Sequence, residues 1–154
     1  MVKKENIKES NLAGTWYSKD ENVLSKAIDE YLKKAEKKTE KKITGLIVPH
    51  AGYEYSGQVA AYGYKQLKNN YKTVIIIAPS HSVMVEGAAV LNASYYRIPL
   101  GKIKISNKAE KLLKEDLIYD IPEAFDKEHS LEIQLPFLQK TLKDFELVPL
   151  ITGD

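Results

Sequence analysis

The chain contains only three histidines, and each lies in a segment suited to a functional site. His50 and His81 each follow an apolar run that ends in a proline, and His129 stands beside Glu128 in the sequence Glu-His-Ser-Leu-Glu. The neutral imidazole is the commonest metal ligand in proteins, and it exchanges protons near neutral pH. These residue types therefore indicate metal binding, proton transfer or both.

His50 and His81 are expected to share one site. Residues 43–48 and 73–78 are apolar runs that predict two buried strands, and each histidine follows the end of one. Open α/β sheets bind ligands at the carboxyl ends of their strands. Neighbouring strands lie about 4.8 Å apart, so two imidazoles at adjacent strand ends can hold two corners of a metal site. A single histidine of this kind would equally suit a buried residue that caps a turn.

His129 has three open interpretations: a third metal ligand, a proton donor beside the ligands, or a helix N-terminal residue with no special role. Glu128 supplies a carboxylate next to it. Tyr53 and Tyr55 precede a predicted helix and can line a pocket at the same place. Ser80 precedes His81, but the glycine pattern of a nucleophile elbow is missing around it. We therefore predict a pocket formed by these side chains, and no serine nucleophile.

The composition restricts which metal ligands and which binding partners this chain can use. The 154 residues include no cysteine, so any metal held by this chain must use imidazole and oxygen ligands. The formal net charge is +2, with lysine and glutamate interspersed, which gives little support for nucleic-acid binding. Glycine-rich nucleotide-binding motifs are absent. No signal peptide and no membrane-spanning run are recognisable, so we expect a cytoplasmic protein with no membrane contact.

Strands and helices alternate along the chain, which predicts an α/β fold with a mostly parallel or mixed sheet and helices on both faces. The uncharged run at residues 73–78 predicts a strand buried on both faces, and residues 102–105 predict a short edge strand. The predicted helices are residues 21–35, 57–67, 107–113 and 131–142, the last with a kink or late start at Pro136. Further strands are predicted at residues 43–48, 87–91 and 145–151.

Several short stretches together resemble the Memo family. They occur in the family's order and spacing across nearly the whole chain. The matching stretches are Ala13-Gly14-Thr15-Trp16-Tyr17, Pro49-His50-Ala51-Gly52-Tyr53 with Tyr55-Ser56-Gly57, Ala78-Pro79-Ser80-His81, and Glu128-His129-Ser130-Leu131-Glu132 with Leu135-Pro136.

The resemblance implies half of a domain similar to the class III extradiol dioxygenases, whose site holds non-haem iron. It implies that His50 and His81 are metal ligands for Fe(II) or copper, and that His129 is a pocket residue with a catalytic role. Family members run to nearly twice this length, and the third metal ligand lies in the half that is missing here. We therefore expect residues 1–154 to be the N-terminal part of a single Memo-like domain, whose site a second chain or a C-terminal half would complete.

Two functions follow as hypotheses. The first is a metal-dependent redox or oxygenase-like enzyme acting in a modification pathway, because the resemblance implies radical-SAM and AMMECR-like partner proteins. The second is a non-catalytic binding module that uses the histidine and tyrosine pocket for a small molecule, an anion or a peptide. A purely structural role has no specific support.

Overall fold

A mixed, mostly parallel sheet of seven strands carries the histidine-bearing segments. The structure is a computed structural model that describes residues 5–68 and 70–153. The strands are β1 (Ile7–Glu9), β2 (Thr73–Pro79), β3 (Ala88–Val90), β4 (Tyr95–Ile98), β5 (Gly101–Ile105), β6 (Ile118–Asp120) and β7 (Glu146–Thr152). The α-helices are α1 (Glu21–Lys34), α2 (Gln58–Tyr64), α3 (Asn107–Leu112) and α4 (Leu135–Thr141).

Strand β7 is the centre of the sheet. It pairs in parallel with β2 along its whole length, and its other side pairs with β5 at the start and with β3, antiparallel, at the end. Residues 147–151 are all buried, as expected for a strand that is covered on both faces. The α/β fold with a mixed, mostly parallel sheet is therefore confirmed.

The remaining strands extend the sheet away from β7. A hairpin joins β4 and β5, β1 pairs in parallel with β4, and β6 pairs in parallel with β3. The predicted edge strand at residues 102–105 is a strand, but the prediction that it lies at an edge is wrong. As β5 it lies between β4 and β7, because β1 and β4, which the sequence analysis missed, extend the sheet beyond it.

Helices α1, α2 and α4 pack against one another as one layer. Helix α1 begins where predicted, because the Asp20 side chain accepts a hydrogen bond from the Val23 N–H, and it buries Leu24 and Ile28. The last predicted helix starts late: a 3₁₀ turn, Glu132–Gln134, precedes α4, and Pro136 lies in the first turn of α4. None of the described helices has both the length and the apolar character needed to cross a membrane.

The structure corrects three predictions near the site. Residues 43–48 are not a strand, because none of their backbone groups pairs with a strand among the described residues. Strand β2 is not buried on both faces: the Ile75 and Ile77 side chains are 59% and 68% exposed. The helix predicted at 57–67 is shorter and is preceded by a π-helical turn, Tyr53–Gly57, a feature often found at functional sites.

Candidate metal centre

The three histidines, which are distant in sequence, form one cluster in the fold. The ring centroids of His50 and His81 are 5.2 Å apart, those of His50 and His129 5.7 Å, and those of His81 and His129 4.4 Å. One nitrogen from each ring can be chosen so that all three lie within 4.8 Å of one another. The cluster could therefore hold a metal ion, and the sequence prediction of a shared site for His50 and His81 agrees with this proximity.

His81 is oriented by a buried carboxylate. Its position follows from β2, which ends at Pro79, two residues before it. The Nδ1 atom of His81 lies 2.9 Å from Glu128 Oε1, and the His81 backbone N–H donates to Glu128 Oε2 at 2.6 Å. With Nδ1 engaged by the carboxylate, Nε2 is left as the ligand atom. A carboxylate behind a metal-binding imidazole is a common device that fixes the ring and raises its basicity.

Glu128 stays ionised although it is buried. Burial alone would raise the pKa of its carboxyl group, but hydrogen bonds from the Ser130 N–H and from the ring and N–H of His81 outweigh it. The balance lowers the pKa of Glu128 to about 2. The His129 N–H also donates to Oε1 at 2.8 Å, so the same carboxylate holds two of the histidine segments together.

Gln134 connects the segments of His50 and His129. Its Nε2 donates to the backbone carbonyl oxygens of Pro49 and Ser130, each at 3.2 Å, and its Oε1 accepts from the Tyr64 hydroxyl at 2.7 Å. This residue was not predicted from the sequence. The available signal was an amide side chain in an otherwise apolar helical stretch, where a buried polar group needs partners.

His129 lies between two aromatic rings. It stacks on Trp16 at a centroid distance of 4.5 Å and on His81 on the other side, both at interplanar angles of 28°. Burial lowers the pKa of His129, the charges of His81 and His50 lower it further, and the Glu128 carboxylate only partly opposes them. The ring is therefore held in its neutral form at neutral pH, in which one nitrogen accepts and the other donates.

The donor set fits a transition metal. Metal–imidazole bonds of about 2.0–2.1 Å place two ligand nitrogens no more than about 4.2 Å apart. The observed separations of up to 4.8 Å therefore need only small side-chain rotations to close on an ion. Imidazole suits iron, copper and zinc alike, so the identity of the metal does not follow from the ligands.

The predicted pocket residues have different environments. Tyr53 is buried beside Phe137, and its hydroxyl donates to the Ile133 carbonyl at 2.8 Å. Tyr55 is 84% exposed and lines a surface pocket with Trp16. The Ser80 hydroxyl donates to the Val83 carbonyl in the loop that carries His81. Catalytic, pocket and ligand roles for these side chains remain predictions.

A second buried carboxylate, Glu132, fixes the N-terminal segment beside the site. It accepts hydrogen bonds from the backbone N–H groups of Asn11 and Leu12, and from the hydroxyls of Tyr17 and Tyr96. A fifth bond comes from the Ser10 hydroxyl. Trp16, the one tryptophan of the chain, is 39% exposed and does not anchor the segment in the core. The segment is instead held by Glu132, and this places Trp16 against His129.

Comparison with known proteins shows the family of this chain. Residues 8–154 match the family described as Memo-like protein. The chain is 34% identical to "Protein memo-1 homolog" of Caenorhabditis elegans, covering 97% of this chain and 44% of that protein. It is 35% identical to a MEMO1 family protein of Aquifex aeolicus, covering 94% and 54% respectively, and 33% identical to "Protein MEMO1" of Xenopus tropicalis, covering 95% and 51%. The chain spans about half the length of these relatives, and it belongs to the Memo-like family.

Proposed function

We propose that this chain supplies the histidine ligands of a non-haem iron or copper centre in an oxygenase-like redox enzyme. The observation that carries the proposal is the convergence of three imidazoles, with ligand atoms within 4.8 Å, on one partly exposed site. A bound iron or copper ion would supply the redox chemistry of such an enzyme.

In this proposal His50 and His81 are the ligands. An imidazole binds a metal along the lone pair of its nitrogen, in the plane of the ring. The His50 and His81 rings are inclined at 48°, which lets their lone pairs converge, and the carboxylate of Glu128 frees Nε2 of His81. His81 and His129 are instead stacked at 28°, which directs their lone pairs side by side. The tilt therefore favours a pair that contains His50. Because the His50 ring is inclined at 52° to that of His129 as well, the carboxylate behind His81 is what selects His81 as the partner.

In this proposal His129 transfers protons to and from a bound substrate. Its ring is neutral near pH 7 because burial lowers its pKa, so it can accept a proton from a bound substrate and return it. Trp16 covers one face of the ring and His81 the other, which fixes the direction in which the ring edge points. The side chain remains 21% exposed, enough for contact with a substrate that enters from the surface.

The activity belongs to a larger unit than this chain. Two imidazoles alone bind iron or copper weakly, and the Memo resemblance places a further ligand outside the matched half. The chain covers 44% to 54% of the C. elegans, A. aeolicus and X. tropicalis relatives, which leaves ample polypeptide to supply it. We propose that catalysis requires that second half.

Equilibrium dialysis against Fe²⁺ without oxygen, and separately against Cu²⁺, tests the ligand set. His50→Ala and His81→Ala should each weaken binding by roughly tenfold or more, since each removes one of two bonds to the ion. His129→Phe keeps a ring between Trp16 and His81 but removes both nitrogens, so it is the matched control and should change the affinity by less than about threefold.

Unchanged metal binding in His50→Ala and His81→Ala would refute the proposed centre. A loss in His129→Phe as large as in those variants would instead make His129 a third ligand. Circular dichroism of each variant separates loss of a ligand from loss of the fold.

A surface pocket favours the second candidate function, a binding module without catalysis. Trp16 and Tyr55 line a depression of about 860 Å³ beside the histidine cluster. Exposed aromatic rings of this kind suit a peptide or a small organic anion. Retained metal binding in Tyr55→Ala, together with loss of ligand binding to the complete protein, would support this use of the pocket.

We also propose, from the Memo resemblance alone, that the complete protein works in the cytoplasm with radical-SAM and AMMECR-like proteins. Co-expression of the three proteins followed by affinity purification tests this. Recovery of this chain alone, at physiological salt, would contradict the association.

A further inference from the structure

We infer that a β-strand from the C-terminal half of the Memo fold inserts between β2 and residues 43–48, next to the histidine cluster. This inference does not depend on the proposed metal chemistry. It rests on two stretches of backbone that line one slot, the edge of β2 turned away from β7 and residues 44–48. Their hydrogen-bonding groups at these positions have no partner among the described residues.

The first wall is the free edge of β2. The Ser80 N–H donates to the Thr152 carbonyl, and the Lys72 carbonyl accepts from the Glu146 N–H, so the even-numbered residues of β2 face β7. Backbone groups alternate in direction along a strand in a sheet. The N–H groups of Thr73, Ile75 and Ile77 therefore point away from β7, where no other described strand pairs with them.

The second wall is segment 43–48, which forms neither a helix nor a strand. It is anchored at its ends, where the Tyr71 hydroxyl donates to the Ile43 carbonyl and the Gln134 amide donates to the Pro49 carbonyl. Between these anchors the backbone makes no hydrogen bond to the described part of the chain. The segment is nevertheless held in place, because Leu46 and Val48 pack closely on Gly63 of α2, where an added Cβ would lie 2.8 Å from both side chains.

The space between the walls is suited to a strand with apolar side chains. It is a slot of about 800 Å³, bounded by residues 43–50 on one side and β2 on the other. Its lining contains no lysine, arginine, aspartate or glutamate. On one face the walls also present the apolar side chains of Ile47, Ile75 and Ile77, all more than half exposed.

An edge of this kind is rarely left uncovered. Sheet edges are normally protected by charged residues, bulges or covering segments, because a long apolar edge strand promotes aggregation. β2, with the sequence Thr-Val-Ile-Ile-Ile-Ala-Pro, contains no charge over seven residues and pairs with β7 without a bulge. Its exposure in this chain therefore marks a position that another segment occupies.

The C-terminal half of the fold is the occupant that these observations favour. The matched relatives contain about as much additional polypeptide as this chain contains in total. A second copy of this chain fits less well, because residues 43–50 lie across the slot from β2 and leave room for one strand rather than for a second sheet. A symmetric pairing of two β2 edges would need that wall to move.

Co-expression with the C-terminal remainder of the Aquifex aeolicus relative tests the inference, with hydrogen exchange measured by mass spectrometry. We expect a one-to-one complex in which the amides of Thr73, Ile75, Ile77 and residues 44–48 exchange roughly tenfold or more slowly than in the chain alone. Amides of the β4–β5 hairpin are the internal reference and should not change. A single-chain fusion of the same two parts provides a second measurement that does not depend on association.

The double variant Ile75→Lys with Ile77→Lys should leave the isolated chain folded, because both side chains are exposed, but should abolish the complex and the added protection. Val59→Lys, at a position 61% exposed on α2, is the matched control and should leave the complex intact. The inference is overturned if the fusion shows no added protection at β2, or if the double variant binds as well as the parent. Protection of β2 by self-association of the chain alone would also overturn it, in favour of a second copy.

Discussion

Two buried carboxylates, four residues apart, have different roles in this molecule. Glu132 is fully buried and accepts five hydrogen bonds from hydroxyls and backbone amides of the N-terminal segment and β4. Glu128 is 2% exposed and accepts four, one of them from the ring of His81, whose side chain is 40% exposed. Burial alone therefore does not distinguish a structural carboxylate from one that serves a site.

The partners of each carboxylate make the distinction. Tyr17, Tyr96 and Leu12, which all donate to Glu132, are themselves buried. Burial raises the pKa of the Tyr17 and Tyr96 hydroxyls, so they remain donors. One partner of Glu128 is an imidazole whose other nitrogen is free to bind a ligand. Glu132 is thus expected to affect mainly stability, whereas Glu128 connects stability to the state of the site.

Glu132→Gln is expected to have the largest effect on stability. Either orientation of the amide places its NH₂ group against a backbone N–H, that of Leu12 or of Asn11, which cannot turn away. The free energy of unfolding at pH 7 should fall by roughly 2–4 kcal/mol, measured by urea denaturation. Glu123→Gln, at an exposed position, should change it by less than about 0.5 kcal/mol. A loss from Glu132→Gln as small as that of the control would contradict the structural role.

The contribution of Glu128 to the free energy of unfolding should depend on pH. Because its pKa is about 2 in the folded chain and near 4.5 when unperturbed, it stabilises the fold fully above pH 4.5 and loses this contribution as the pH falls towards 2. The free energy of unfolding should therefore drop by up to about 3 kcal/mol more in the parent chain than in Glu128→Gln over that range. Parallel pH profiles for the two proteins would show that the carboxylate is not stabilised by its partners.

A single hydroxyl bonded to Glu132 should contribute less than the carboxylate. Tyr17→Phe removes one of five donors, and the other four remain in place. The expected loss is about 1 kcal/mol in urea unfolding. Tyr55→Phe, which alters an exposed ring, should be neutral, and equal losses in the two variants would remove the basis for the Glu132 network.

The smallest effect concerns the titration of His129. Its pKa is lowered by burial, so NMR should record protonation of its ring below the ordinary value of about 6.5. In Glu128→Gln the carboxylate that partly opposes this shift is lost, and the midpoint should move lower still. A midpoint that rises in the variant would mean that Glu128 does not act on this ring.

The sequence was a good guide to regular elements with a strong local signal. The amphipathic pattern and the Asp20 cap of α1 are local properties, and the apolar runs at β2 and β7 predict strands without knowledge of their partners. Residues 43–48 carry the same kind of signal but form no strand here. A strand requires a neighbour, and none of the described residues provides one.

The structure brings His50 and His81 together, as the sequence predicted, but not for the geometric reason expected. We expected two adjacent strand ends, yet only His81 follows a strand. His50 is brought into place through Pro49, whose carbonyl is held by Gln134. Long-range hydrogen bonds of this kind leave no periodic pattern in the sequence, which is why the roles of Gln134 and Glu132 were not predicted.

The sequence by itself determined the donor types, the absence of a thiolate ligand from these 154 residues, the α/β alternation and the resemblance to the Memo family. These properties depend on residue identity and on the order of local patterns. The tertiary structure alone decided which carboxylate orients His81, that Trp16 stacks on His129, and that one edge of β2 is open. Each of these features depends on contacts between segments that are tens of residues apart in the sequence. Packing around the central strand β7 brings those segments together.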